Sequence, residues 1–437
     1  MLSKEKLDIK FILLFIASAA LFGFIYIEHK WFFVLIDHLT KLDWVSPGIK
    51  SFFYDRTQRE IFDELISPIR GILLTLSLLT VISILFTDII QREKNLETKG
   101  SFPYIKAMAL FIIIAILVTP TKLGGSALEY ANTSVVLFTK IYPINNLERL
   151  LLPALAHLMF FRGDGFYLIF ALLWNFVLIC ALLFWLVQNK ITMPFWALVS
   201  LASSSFIIFQ FMVPGYPDVL VGIFVILALA LPSSDVGLTA LFTLSLISHE
   251  GSIFIWAGLI IIFFKRIYWP KFFIIVVLYI FMRFLGTGFD LNTLFLPRVV
   301  GEMTTIEWLK YNPDKLLFGI FFAFKSGWII IGLGIYQWFQ KREWKILTSA
   351  FALLGIGGVL AVYGIDTSRL VGWIFPVLLL AWKELESPLS KSINRIATLA
   401  KVLNLLIPPI YVGLNGIVFP PGLYKLVYDL LFSWLFV

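Results

Sequence analysis

Long apolar runs separated by short polar stretches recur along the whole chain. Runs of membrane-spanning length read as helices, because a helix satisfies its own backbone hydrogen bonds in lipid. The pattern predicts spans at roughly 11–27, 71–90, 105–119, 166–187, 194–213, 219–232, 236–248, 252–264, 272–286, 316–339, 347–364, 370–382 and 402–419. Several fall short of the ~20 residues usual for a crossing. Two further apolar segments, 150–161 and 423–437, fit a re-entrant, an interfacial or a spanning role equally. The expected fold class is all-α: a polytopic membrane helical bundle of about 12–14 transmembrane helices. It forms a single integral membrane domain over 1–437, since no polar stretch reaches the ~50 residues of a small soluble domain.

Basic residues set the orientation. Lys4, Lys6 and Lys10 precede the first span, and Arg92, Lys94 and Lys99 follow the second. Lys190, the Lys265/Arg266/Lys271 group, the Lys341/Arg342/Lys345 group and Lys383/Lys391/Arg395 fall in other short loops. Placing all of them on the cytoplasmic face is consistent with every span above and puts the N-terminus there too. Long loops at about 28–70, 120–165 and 287–315 then lie outside. Ala17-Ser18-Ala19 resembles a signal-peptidase site, but the apolar run continues through Ile27, which favours an uncleaved first span.

Composition agrees with a membrane protein. The chain of 437 residues is 60% hydrophobic and 14% charged, with mean hydropathy +0.92, where a soluble domain is about a quarter charged. The net charge of +8 reflects cytoplasmic loops and does not call for nucleic acid. The single cysteine, Cys180, lies inside an apolar run and reads as a small buried hydrophobe. There is no zinc spacing, Gly-rich nucleotide loop, Gly-x-Ser-x-Gly elbow or Asp-x-Asp pair. No metal or other cofactor is called for, although a divalent metal stays open.

Polar residues at the ends of the apolar runs carry the candidate chemistry. His249 and Glu250 stand between two such runs and suit a general base or a partner contact; a polar helix cap is the structural alternative. Asp366 and Arg369 are three apart and share a helix face, with Asp366 also a possible cap. Arg369 suits a phosphate, which a guanidinium grips with two hydrogen bonds. Pro214-Gly215-Tyr216-Pro217 enforces a turn before Asp218, an acid/base or N-cap residue. Arg149 is a possible phosphate contact, whereas His157 reads as a core histidine. Arg162 and Asp164 complete that outer cluster. Within spans, Lys325 and Arg283 either snorkel to the surface or face a polar cavity or lipid phosphate.

This layout resembles the GT-C superfamily of integral membrane glycosyltransferases: many spans, long outer loops with carboxylates, and charges gathered outside. Local patterns such as Gly215-Tyr216-Pro217-Asp218, Ser248-His249-Glu250 and Asp366-Thr367-Ser368-Arg369 also look like those of bacterial polytopic membrane proteins. The resemblance implies a GT-C-like fold in a bacterial cytoplasmic (inner) membrane. It also implies transfer of a sugar from a polyprenyl-phosphate or pyrophosphate donor to an acceptor hydroxyl on the outer face. The acceptor would be a glycan, a lipid or a protein. In the family the base is often an acid just after the first span; the Asp-Glu pair common there is missing, leaving Asp37, Asp43 and Asp55, with Asp63-Glu64 further on. The acid/base pool is then Asp55, Asp218, His249, Glu250 and Asp366. The donor-phosphate pool is Arg149, Arg283, Lys325 and Arg369. A transporter or flippase of a lipid-linked or anionic solute, and a polysaccharide polymerase, are the alternatives.

Overall fold

The computed structural model describes residues 9–26, 80, 104–118, 123, 126–135, 149, 151–231, 234–263, 269–286, 299–300, 303–304, 313–363, 367–386, 390–413, 416–420, 422–427 and 429. These are almost entirely helical. In chain order the helices are α1 (Ile9–Tyr26), α2 (Tyr104–Val118), α3 (Ser126–Val135), α4 (Leu151–Leu158), α5 (Asp164–Gln188), α6 (Phe195–Ala202), α7 (Ser205–Met212), α8 (Asp218–Ala230), α9 (Asp235–Ser248), α10 (Ser252–Phe263) and α11 (Trp269–Gly286). A short strand pair follows, β1 (Val299–Val300) with β2 (Met303–Thr304). Then come α12 (Pro313–Phe324), α13 (Gly327–Gln340), α14 (Trp344–Tyr363), α15 (Thr367–Gly372), α16 (Phe375–Leu385) and α17 (Lys391–Leu406). The hairpin β3 (Tyr411–Gly413) and β4 (Gly416–Val418) comes last.

Two of the described helices are long and apolar enough to cross a membrane, Asp164–Gln188 and Trp344–Val362. The number reaches four if each of two bent pairs is counted as one span: α6 with α7, bent by 65°, and the pair Lys315–Phe324 and Gly327–Gln340, bent by 68°. Helices such as α8, α9 and α10 are apolar but shorter. At a rise of about 1.5 Å per residue they fall short of a hydrocarbon core of about 30 Å. The expected continuous spans at 194–213 and 316–339 are therefore each broken. The expected span at 402–419 is also corrected. Helix α17 ends at Leu406, Pro408-Pro409 follows, and the chain turns into an antiparallel hairpin with Tyr411 opposite Val418. Proline cannot continue a helix, so the apolar composition alone did not make a span.

Among the described residues the main core cluster joins α5 to α8, α10 to α14, and α13 to α16, and a smaller one packs Phe322 against Ile410 and Val412 of the C-terminal hairpin region. Close approach is achieved with small residues. A Cβ on Gly258 would meet Leu353 at 2.5 Å, and one on Gly334 would meet Ala381 at 2.5 Å. Stacked rings add area, with Phe206 over Phe375 at 4.1 Å and Phe242 over Phe272 at 3.9 Å.

The two helix breaks meet at Lys325. A break in an apolar interior leaves carbonyls without helical donors, and each needs another partner. The Lys325 ammonium donates to the carbonyls of Ser203 (3.0 Å), Asn404 (2.6 Å) and Ile407 (3.1 Å). Those carbonyls lie at the ends of α6 and α17, where a helix dipole favours a cation. Neighbouring bonds run the same way: Ser326 donates to the Ala400 carbonyl and Ser200 to that of Lys401.

Candidate functional site

Four helix ends and two connecting segments bring charged side chains together. Asp218 opens α8 just after a Pro-Gly-Tyr-Pro turn, whose Gly215 takes φ 96°. A side chain there would be strained, and its Cβ would meet the Tyr167 ring at 2.9 Å. The Tyr167 hydroxyl donates to the Gly215 carbonyl at 3.0 Å and holds the turn. The N-cap of α8 is Pro217, so Asp218 is the first helical residue and not the cap. Its carboxylate is fully buried, at the helix end whose dipole favours an anion.

His249 ends α9 as its C-cap, with an extended backbone. The Gly251 N–H donates to its Nδ1 at 3.0 Å. An Nδ1 that accepts assigns the proton of the neutral ring to Nε2. Nε2 lies 3.8 Å from the Asp218 Oδ1, and Nδ1 lies 3.4 Å from the Glu250 Oε2. The Trp373 ring meets the imidazole edge-on, with centroids 4.4 Å apart.

Arg149, just before α4, grips Glu250 in a two-pronged contact. Nε to Oε2 is 3.0 Å and Nη2 to Oε1 is 2.5 Å. Burial works against the Arg149 charge, but the Glu250 carboxylate outweighs it and holds the guanidinium protonated, well above its ordinary range. On the far side, α15 supplies Arg369, whose Nη1 is 3.7 Å from the Asp218 Oδ2. Its guanidinium sits over the Tyr216 ring, 4.8 Å from the centroid. The result is a row of polar groups: Arg149, Glu250, His249, Asp218, Arg369, with the imidazole between two carboxylates and an arginine at each end. Only Glu250 is appreciably open, with a quarter of its side chain exposed, against 6% for either arginine.

Tyr130 on α3 closes the Arg149 side. Burial pushes its phenol up to about 12, while the adjacent Arg149 opposes that shift. Its ring meets Tyr216 edge-on, with centroids 6.1 Å apart. Tyr130 and Trp373 were not anticipated. An aromatic residue near a membrane surface looks like an ordinary interfacial anchor. The one available signal was that Trp373 stands four residues after Arg369, and the structure puts it in the turn just after α15.

Of the residues expected to act, Asp218, His249, Glu250, Arg149 and Arg369 are brought together. Lys325 is not among them, and its three ammonium hydrogens are directed at the carbonyls named above. Asp55 and Asp366 lie outside the described residues, and Arg283 falls on α11 with its side chain outside them. Loop 28–70 also lies outside, as does most of 287–315. His157 is structural: its Nδ1 contacts the Ser134 carbonyl at 2.8 Å. Burial lowers its pKa, and Arg162 works in the same direction. Arg162 donates to the His157 carbonyl at 3.1 Å, and Asp164 opens α5. Cys180 is half-buried against the core. Among the described residues, no group of three or more His, Cys, Asp or Glu side chains could hold a metal ion.

Five polar side chains therefore converge from positions 149 to 369. Two guanidinium groups flank two carboxylates, and an imidazole sits between them. Such a set can bind an anion, hold a hydroxyl and accept a proton. No family model, no curated protein and no solved structure matches the chain.

Proposed function

We propose that this chain is a GT-C-like membrane glycosyltransferase, a bundle of about 12–14 spans working on the outer face of a bacterial cytoplasmic membrane. Its donor is a sugar on a polyprenyl phosphate or pyrophosphate, and its acceptor is a hydroxyl. One observation carries the reading: a largely buried row in which two arginines flank two carboxylates with a histidine at its centre. It stands at helix ends that the basic loops, by their placement, assign to the outer side. Ionisable groups are costly to bury in a membrane protein and are kept where they handle a substrate.

The chemistry assigns a role to each group. The acceptor oxygen attacks the anomeric carbon as its proton passes to Glu250, the most open carboxylate. The bond from that carbon to the phosphate oxygen breaks, and the phosphate leaves with the electron pair. Arg369 and Arg149 stabilise the charge that develops on it. Asp218, behind them, orients His249 and Arg369. No nucleotide loop is needed, in keeping with its absence from the sequence.

The test is transfer from polyprenyl-phosphate sugars by purified protein in detergent. Wild type should turn over, and Glu250→Gln, His249→Ala and Arg369→Ala should not, while remaining folded and inserted. Full activity in all three variants would remove this site. A second reading, a transporter of a lipid-linked or anionic solute, is favoured by the two broken helix pairs that meet at Lys325. Broken helices line solute paths in many carriers. Solute movement in proteoliposomes, without transfer from any donor, would establish it.

A further inference from the structure

The Arg149–Glu250 contact sets two requirements of the reaction against each other. A base needs an uncommitted carboxylate, and a leaving phosphate needs an uncommitted guanidinium. In this structure each occupies the other through two hydrogen bonds. Arg369 is placed differently. Its Nη1 lies 3.7 Å from the Asp218 Oδ2 and its guanidinium stacks on Tyr216, so it makes no fork with Glu250. The two arginines thus present unequal contacts to an incoming anion. The fork of Arg149 matches a carboxylate and a phosphate equally well, since both offer paired oxygens at similar spacing. Glu250 is the one partner in the row with open access, so an anion reaches Arg149 from the Glu250 side.

We propose that Glu250 is a built-in competitor for the phosphate site: a phosphate group takes its place on Arg149, and the displaced carboxylate is thereby freed to act as base beside His249. The inference rests on the phosphate-handling reading of the site. It adds that binding of the donor and arming of the base are one event. Without a phosphate the carboxylate stays locked, which protects against attack by water or a stray hydroxyl. The Gly251 N–H, already committed to His249, keeps the imidazole in place while Glu250 moves.

The experiment measures anion binding by calorimetry on the full chain in detergent, with inorganic pyrophosphate as the first probe. A polyprenyl phosphate in nanodiscs is the second. Wild type should bind pyrophosphate weakly, and Glu250→Gln should bind it tighter by about tenfold, because the competing charge is gone. Adding Arg149→Lys to Glu250→Gln should abolish that gain, since an ammonium has no fork. Equal or weaker binding by Glu250→Gln would overturn the proposal. A gain with both probes shows that the site reads the phosphate itself; a gain with the polyprenyl phosphate alone shows that it needs the lipid.

A measurement on wild type avoids dependence on any variant's folding. Carbodiimide coupling at Glu250, read by mass spectrometry, should rise several-fold when pyrophosphate is added. An unchanged or falling yield refutes the displacement. Binding and transfer also fail separately. If the binding pattern holds and no sugar is transferred, the glycosyltransferase reading falls and the competitor stands. If transfer is seen and Glu250→Gln gains no affinity, the competitor falls alone.

Discussion

Replacing Arg149 and Glu250 by glutamine, singly and together, measures how strongly their fork holds the site. Two unit charges about 4 Å apart attract by about 4 kcal/mol at an effective dielectric near 20. A quarter of the Glu250 side chain is open to solvent, and screening reduces the coupling to about 2–3 kcal/mol. The two single variants should not be equal. Arg149 is 6% exposed, so Glu250→Gln leaves the more deeply buried charge without its partner. It should cost more than Arg149→Gln, within the roughly 3–5 kcal/mol of a broken buried pair. The double variant should recover most of that loss. Reversible unfolding in mixed micelles, followed by tryptophan fluorescence, yields all four corners of the cycle. A coupling below about 0.5 kcal/mol, or a larger loss in Arg149→Gln than in Glu250→Gln, would refute the reasoning.

Three other substitutions probe the surroundings of the site. A Cβ at Gly251 would lie 2.5 Å from the Trp373 ring; Gly251→Ala should therefore destabilise by about 1–3 kcal/mol and abolish transfer, seen by thermal unfolding and assay. Tyr130 is held up to about 12 against an ordinary 10.0. Its neutral form therefore contributes stability that is present below pH 10 and is lost as the pH rises toward 12, so alkaline unfolding should be steeper in wild type than in Tyr130→Phe. Ser234 caps α9 by accepting from the Gly237 N–H at 3.1 Å; Ser234→Ala should cost about 1 kcal/mol in chemical unfolding and leave transfer intact.

Much of the candidate site was legible because charge stands out against apolar runs. His249-Glu250, Asp218, Arg149 and Arg369 each interrupt or border such a run, and each is found in the cluster. Their pairing was not legible. Arg149 and Glu250 are 101 residues apart, and nothing local encodes that a guanidinium before α4 meets a carboxylate after α9. Asp218 looked like a helix cap, yet Pro217 holds that position. Most helix positions followed from apolar length, and the breaks did not. Ser203-Ser204-Ser205 and Lys325-Ser326-Gly327 mark them in hindsight. Weak helix formers flank both bends, but serines also occur inside spans, where they return a hydrogen bond to their own helix. The hairpin at 411–418 was hidden for a different reason. Its length and apolar residues read as a span, and the signals against that reading are local: Pro408-Pro409 before it and Asn415-Gly416 within it.

The node at Lys325 has a consequence for how the chain is made. Ser203 is synthesised 122 residues before Lys325, whereas Asn404 and Ile407 follow it by 79 and 82. When Lys325 is synthesised, only one of these three acceptors exists. The end of α17 then completes a coordination whose first acceptor was made nearly half a chain earlier. The segment from Asn404 to Ile407 is thus a late lock on this node: a chain that stops before position 404 leaves Lys325 with one of its three carbonyls.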